Sequence, residues 1–301
     1  MAPMVMARPP GGCEYQPMQF THLLRVKNTL RPLAWLLLCT IASPGGSAIA
    51  AGEPHADAAY GCLSHLGTLP AATGQVLPEQ LRVLSWNIHK SRDAGWSEDL
   101  RRLGDSADLG FIQEAALHTQ LGELWLGGPR YQSFAPGYSA GGTRTGVMTI
   151  SRFAPTMQCN FTRTEPWLGT PKAIAVTEHA IQGREQRLLA INIHAINFTL
   201  GIDDFAAQLD TVAQLVAVHS GPVILAGDLN TWSAARKTLV ERVLAPLQLA
   251  PLSFQPDLRT RAFGHALDHI YVRGLTVEST EVVAVDSSDH NPLIASLRFL
   301  M

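Results

Sequence analysis

The 301-residue chain is expected to fold as an α/β protein, a mixed sandwich in which two β-sheets pack face to face with helices outside. Three observations predict it. Apolar runs of strand length recur from Leu81 onward, at Leu81–His89, Leu109–Gln113, Gly146–Ser151, Ala173–His179, Arg187–Ile193, Val223–Ala226, Leu267–Val272 and Leu293–Phe299. Amphipathic stretches of helical period lie between several of these runs. Both tight turns and helical segments join the strands, which calls for antiparallel and parallel pairing together.

The elements follow in order. Arg25, Lys27 and Arg31 precede the apolar run Leu33–Ala42, and Pro44-Gly45-Gly46 is followed by the small residues Ala48 and Ala50. Basic, apolar, then small is the layout of a secretory signal peptide. A membrane span needs roughly twenty residues, more than this run supplies. Residues 1–51 are therefore read as a signal peptide cleaved near Ala50 or Ala51, with an uncleaved amino-terminal anchor as the rival. The protein is then exported, periplasmic or secreted; anchorage at the inner membrane is the alternative, or a cytoplasmic location if the start is misassigned. Residues 52–80 carry Gly, Pro and Ala without periodicity and read as a linker or loosely packed lead-in, and residues 81–301 as one domain. Cys62 and Cys159 lie beyond the leader and are either a disulfide or two buried thiols.

The clearest helix covers Asp203–His219, where Phe205, Leu209, Val212 and Val216 recur at helical spacing behind an acidic first turn and Gly221-Pro222 ends it. A second covers Ser233–Leu247, and weaker ones Glu98–Leu103 and Ala115–Leu124. Residues 173–193 read as a β-hairpin with Gly183 in the turn.

Hydrophobic residues make up 46% and charged residues 16%, which excludes a disordered chain. With 23 basic and 25 acidic residues the formal charge is −2, so no net field holds a polyanion unaided. Residues 1–51 hold four basic side chains and one acidic one, leaving 19 against 24 in residues 52–301, a formal −5. Arg259 and Arg261, just before Asp268, either flank a cleft or sit on a solvated loop. Phe153 and Trp167 are candidate exposed anchors.

Six segments end an apolar run, or present a loop, with Asn, Asp, Glu or His: Leu84–Asn87, Phe111–Glu114, Ile191–His194 with Asn197, Ile224–Asn230, Ala266–His269 and Ser288–Pro292. Strand ends gather at one rim of a mixed sheet, so these residues are expected to line one cleft. Any one of them alone reads as a turn or a helix cap. Carboxylates gathered with Asn and two His repel one another unless a hard divalent cation or a proton offsets them. Trp86 is expected to pack beneath the cleft, and His89, His265 and His269 to be packing or exposed residues.

In that order, SWNIH, FIQEA, NIHAIN, AGDLN, LDHIYV and SDHNPL resemble the signature set of the endonuclease/exonuclease/phosphatase superfamily, which includes DNase I, apurinic endonucleases and neutral sphingomyelinases. NIHAINFTLG, SGPVILAGDLNTW and RAFGHALDH are similar to its bacterial YafD-like branch. The resemblance implies a four-layered α/β sandwich of the DNase I type. It also implies a divalent-metal-dependent phosphoesterase, with Mg²⁺ or Mn²⁺, that hydrolyses a phosphodiester of nucleic acid or a phospholipid head group by in-line attack of water. A non-catalytic phosphate- or phospholipid-binding envelope protein that keeps the cleft is the alternative. A monomer is expected, meeting a membrane only through an uncleaved leader.

The same resemblance implies the roles. Glu114 holds the metal, Asn87 donates to it or supports it, and Asp289 completes the set. Asp228 positions and deprotonates the attacking water, and Asn230 acts on the phosphoryl group. Asp268 and His290 form a pair, and either Asp228 or His290 takes the proton. His194 protonates the leaving oxygen, a role that needs a pKa near the working pH. Asn197 binds substrate, and Lys172 either contacts phosphate or is a solvated surface lysine.

Overall fold

The computed structural model describes residues 62–117, 130–140, 142–199 and 201–300, and the expected leader lies outside them. The chain runs β1 (Gln80–Asn87), α1 (Trp96–Gly104), β2 (Leu109–Ala116), β3 (Tyr131–Ala140), β4 (Thr143–Ser151), β5 (Met157–Thr164), β6 (Pro171–Ala180) and β7 (Arg187–His194). It continues through α2 (Asp203–Val218), β8 (Val223–Asp228), α3 (Ala234–Leu244), β9 (Ala250–Pro251), β10 (Arg261–Ala262), β11 (His265–Ala266), β12 (Asp268–Arg273), β13 (Leu275–Val282) and β14 (Leu293–Phe299).

Two six-stranded sheets result, ordered β13-β14-β1-β2-β4-β3 and β5-β6-β7-β8-β12-β9. Side-chain alternation along the central strands builds the layers. In β8, Ile224 and Ala226 point between the sheets, where they meet Val83, Phe111 and Leu297 of the other sheet. Val223 and Leu225 point outward onto Phe205, Leu209 and Val212 of α2 and Val240 of α3. On the far side Leu84, Trp86 and Ile112 pack against Leu100 and Leu103 of α1. The expected four layers are therefore present, helix on sheet on sheet on helix.

Each sheet contains one parallel pair, β1 with β2 and β7 with β8, and each pair is joined by a helical crossover. Parallel strands end at the same rim, so Asn87 and Gln113, and His194 and Asp228, stand side by side. Antiparallel β12 then places its first residue, Asp268, directly opposite Asp228, the last of β8.

Several elements differ from expectation. Ser233 caps α3, its hydroxyl accepting from Arg236 N at 3.3 Å, and a 3₁₀ turn at Ala245–Leu247 finishes the expected helix. Ala115 and Ala116, expected to start a helix, instead close β2 opposite Gly146 and Thr145, and residues 118–129 lie outside the described residues. Strands β3, β5 and β13 were not legible because each is a sheet edge, where one face stays wet and no apolar run is needed. The described part of the lead-in, residues 62–79, is tied to the domain: Cys62 and Leu77 are buried, Leu77 bridges to Ile181, and Gly67 N donates to Glu178 Oε1 at 2.8 Å. Cys62 is disulfide-bonded to Cys159 of the edge strand β5, with the Cα atoms 5.9 Å apart.

Candidate active site

The rim where the parallel pairs end gathers the predicted residues from both sheets. Asp228 is 2% exposed and sits at the centre. Asn87 Nδ2 donates to its Oδ2 at 3.2 Å, and Asn230 N to its Oδ1 at 2.9 Å. His194 Nε2 lies 3.5 Å from Oδ2. Asn230 adopts a left-handed backbone, φ +49°, which Asn tolerates, and its amide donates to Ala195 O at 2.9 Å.

Asp268 Oδ2 and His290 Nδ1 are 2.7 Å apart, and His290 is further placed by its carbonyl, which accepts from Trp86 Nε1 at 2.9 Å. Trp86 therefore lies beneath the site, as expected. Burial alone would lower the His290 pKa, but the Asp268 charge and hydrogen bond, with Asp228 and Asp289, raise it to about 10, so the ring is cationic at neutral pH. Burial raises the Asp228 carboxyl from 3.8 to about 6, against the pull of His290 and Lys172. Ligand atoms of Asp228, Asp268 and His290 all lie within 4.8 Å of one another.

Lys172 is buried in the site, not on the surface, and its Nζ is 2.8 Å from His194 Nε2. Burial lowers the Lys172 pKa, opposed by Glu165, Asp228 and Glu114. His194 is pushed well below its usual value, by burial first and then by Lys172, His290 and Lys90. These causes act against the pKa near the working pH expected for His194 and favour its uncharged ring.

Glu114 stands at a β-bulge, where register shifts between Ile112 and Ala115, and its φ is +53°. A bulge re-aims a side chain at the cost of local strain. Here it turns Glu114 into a small cavity shared with Lys172 and His194. Its carboxylate is paired with Lys90, whose ammonium also lies 5.9 Å from the Tyr138 ring centroid. The remaining predicted metal residues are less committed: Asn87 Oδ1 accepts from His89 N at 3.1 Å, and Asp289, 58% exposed, is 3.8 Å from His89 Nε2. Asn197 contributes its backbone here, its N–H donating to Glu165 Oε1 at 2.7 Å and its carbonyl accepting from Arg236 at 2.8 Å.

Arg259 does not offer a free cation to the cleft. It is paired with Asp257 at 2.8 Å, its Nη1 lies 3.2 Å from His269 Nδ1, and Arg261 pairs with Asp257 at 2.6 Å. His269 is buried behind Asp268, bonded to Thr231 Oγ1 at 2.7 Å.

Sequence reasoning missed four supports. Lys90 carried no signal beyond its place after SWNIH. Glu165 and Arg236 are buried charges that clamp the loop after β7, Glu165 on the Asn197 and Phe198 N–H groups and Arg236 on the carbonyls of Ile196, Asn197 and Asn230. Beneath the site, Gln113 Nε2 donates across the sandwich to Asn192 Oδ1 at 2.8 Å, tying the sheets together.

The pattern described as the Endonuclease/Exonuclease/phosphatase family matches residues 84–290. A UPF0294 protein of Yersinia pseudotuberculosis is 40% identical over 228 residues, covering 75% of this chain and 87% of the relative. Among solved structures, an endonuclease/exonuclease/phosphatase family protein from Leptotrichia buccalis aligns with TM-score 0.59 at 17% identity, over 73% of this chain and all of that one. The human Nocturnin catalytic domain, solved with a bound sulfate anion, aligns with TM-score 0.55 at 18% identity, over 74% and 96%. With its six ordered motifs, its four layers and its rim of carboxylates and imidazoles, the chain belongs to the endonuclease/exonuclease/phosphatase family.

Proposed function

We propose that this chain is a divalent-metal-dependent phosphoesterase that cleaves a phosphodiester by in-line attack of water. The observation that carries the reading is the buried Asp228 held between three groups: Asn87, the Lys172–His194 pair and the Asp268–His290 pair. An isolated buried carboxylate is costly, and a site that keeps one so close to two cations is built to handle anions and protons.

The electrostatics distribute the roles. His290 already carries its proton at neutral pH, so it stabilises a phosphoryl oxygen and leaves Asp228, with a pKa of about 6, to accept the proton of water. The water oxygen bonds to phosphorus as the bond to the leaving oxygen breaks. That oxygen takes its proton from the Lys172–His194 pair, in which the lysine holds the proton at rest.

The oxygen-rich donors at Glu114, Asn87 and Asp289 suit a hard cation of the Mg²⁺ or Mn²⁺ type. The Lys90 ammonium on Glu114 supports this, because it shows the bulged carboxylate aimed to hold positive charge. When bound, the metal supplies charge neutralisation for the phosphate. The Cys62–Cys159 disulfide supports the proposal that the protein works outside the cytoplasm.

The test is hydrolysis of bis-p-nitrophenyl phosphate by the purified protein with Mg²⁺ or EDTA. Metal-dependent turnover that falls at least about a hundredfold in Asp228→Asn and Glu114→Gln is expected. Absence of turnover on this substrate, on plasmid DNA and on phospholipid would overturn the reading.

A further inference from the structure

We infer that the cleft beside Asn230 is a hydrocarbon subsite, and that the phosphoester handled here is an amphiphile met at a zwitterionic membrane surface. The inference rests on the phosphoesterase reading above and names its substrate class.

A cavity of about 530 Å³ opens next to the catalytic rim and shares Asn230 and Asn197 with it. Its walls are the rings of Trp167, Phe198, Trp232 and Phe263. Because Asn230 belongs to both the cavity and the rim around Asp228, a phosphoester held at that rim can lay the group attached to its phosphate in the cavity. Three separate loops supply the outer rings: the β5–β6 turn, the segment after β7 and the tip of the β10–β11 hairpin. Trp167 is 65% exposed, Phe198 56% and Phe263 86%, and Leu168 beside them 57%. All three strongly exposed Trp and Phe side chains among the described residues thus stand on one mouth. Trp232 is fixed at the base, 4.8 Å from the Arg236 guanidinium and 6.1 Å, edge to face, from Phe263.

Aromatic walls suit either a stacked base or a hydrocarbon chain, and the polar chemistry separates them. A base brings a hydrogen-bonding edge and a polyanionic backbone. The Thr199 hydroxyl on this wall is already used, donating to Gly201 O and accepting from Arg236. Arg259 and Arg261 nearby are paired with Asp257, and residues 52–301 carry a formal −5. A hydrocarbon has no polar edge to satisfy, and exposed Trp and Phe on loop tips match the interfacial zone of a bilayer. The acidic domain is repelled by an anionic leaflet, so the matching surface is zwitterionic.

The test uses the full chain in EDTA with phosphatidylcholine vesicles, read by co-sedimentation and by a blue shift of tryptophan emission. The wild type is expected to bind, and the double variant Trp167→Ser, Phe263→Ser to partition at least tenfold less while keeping its circular dichroism and melting temperature. No vesicle binding, equal binding by the variant, or capture of a single-stranded oligonucleotide that depends on the same rings would overturn the inference. Hydrolysis of a soluble phosphodiester without vesicle binding overturns this inference alone. Vesicle binding without any metal-dependent hydrolysis keeps the docking surface and overturns the enzymatic reading instead.

Discussion

Replacing Arg236 with Met tests whether the loop carrying the site is clamped by buried charge. The guanidinium is 1% exposed and donates to Ile196 O at 2.5 Å, Asn197 O at 2.8 Å, Asn230 O at 3.2 Å and Thr199 Oγ1 at 3.2 Å. It also lies 4.5 Å from the Phe205 ring centroid in the core. Met fills much of the volume but donates to none of these groups. Each buried acceptor left unpaired costs about 1–3 kcal/mol. Breaking a buried charged network costs about 3–5 kcal/mol in total. For a domain of this size each kcal/mol lowers Tm by about 2–4 °C, so a drop of about 6–20 °C is expected by calorimetry. Because the carbonyls released are those of Asn197, Asn230 and the adjacent Ile196, kcat on a soluble phosphodiester should fall about tenfold or more, out of proportion to any change in KM. Arg236→Lys keeps the charge but not the fork and should fall between the two. A Met variant that melts within about 2 °C of wild type, with unchanged kcat, would refute the clamp.

Three further outcomes are expected. Reduction of the Cys62–Cys159 disulfide, or Cys159→Ser, frees a loop closed across 97 residues and should destabilise the protein by about 4–5 kcal/mol, seen as a lower denaturant midpoint. Gly227→Ala should fail to fold or melt far lower, because at φ +142° an added Cβ would lie 2.0 Å from Ile193 O, in the parallel β7–β8 pair that sets the rim; a soluble variant with wild-type Tm would sink that idea. In metal-free protein, NMR titration should show His290 protonated until about pH 10, and Asp268→Asn should bring that value down sharply. Since its folded pKa is raised above the usual 6.5, the contribution of His290 to stability is fully present below pH 6.5 and is lost as pH rises toward 10. A His290 resonance that titrates near 6.5 would contradict the pair.

Much of this architecture was legible in the chain. The central strands are buried on both faces and had to be continuous apolar runs, so β1, β7 and β8 announced themselves. The long helix α2 shows its buried stripe at Phe205, Leu209, Val212 and Val216. The polar residues that interrupt those runs at strand ends marked the rim. What stayed hidden has a common cause, that its physics is not periodic. Edge strands need no apolar run. The Glu114 bulge looks like ordinary strand, and its neighbours Ala115 and Ala116 are good helix formers. Glu165 and Arg236, far apart in sequence, become one clamp only when β5, β7 and α3 meet.

By itself the sequence determined in what order the elements come and which polar residues gather at the rim, because burial pattern and strand-end polarity are local properties of the chain. Only the tertiary structure decided the electrostatic surroundings of those residues. The raised pKa of His290, the raised carboxyl of Asp228 and the lowered pKa of His194 all follow from desolvation and from charges contributed by other segments of the chain. The mouth of exposed rings exists because three loops converge. Electrostatic energy depends on distance and burial in three dimensions, and neither is written in the spacing along a chain.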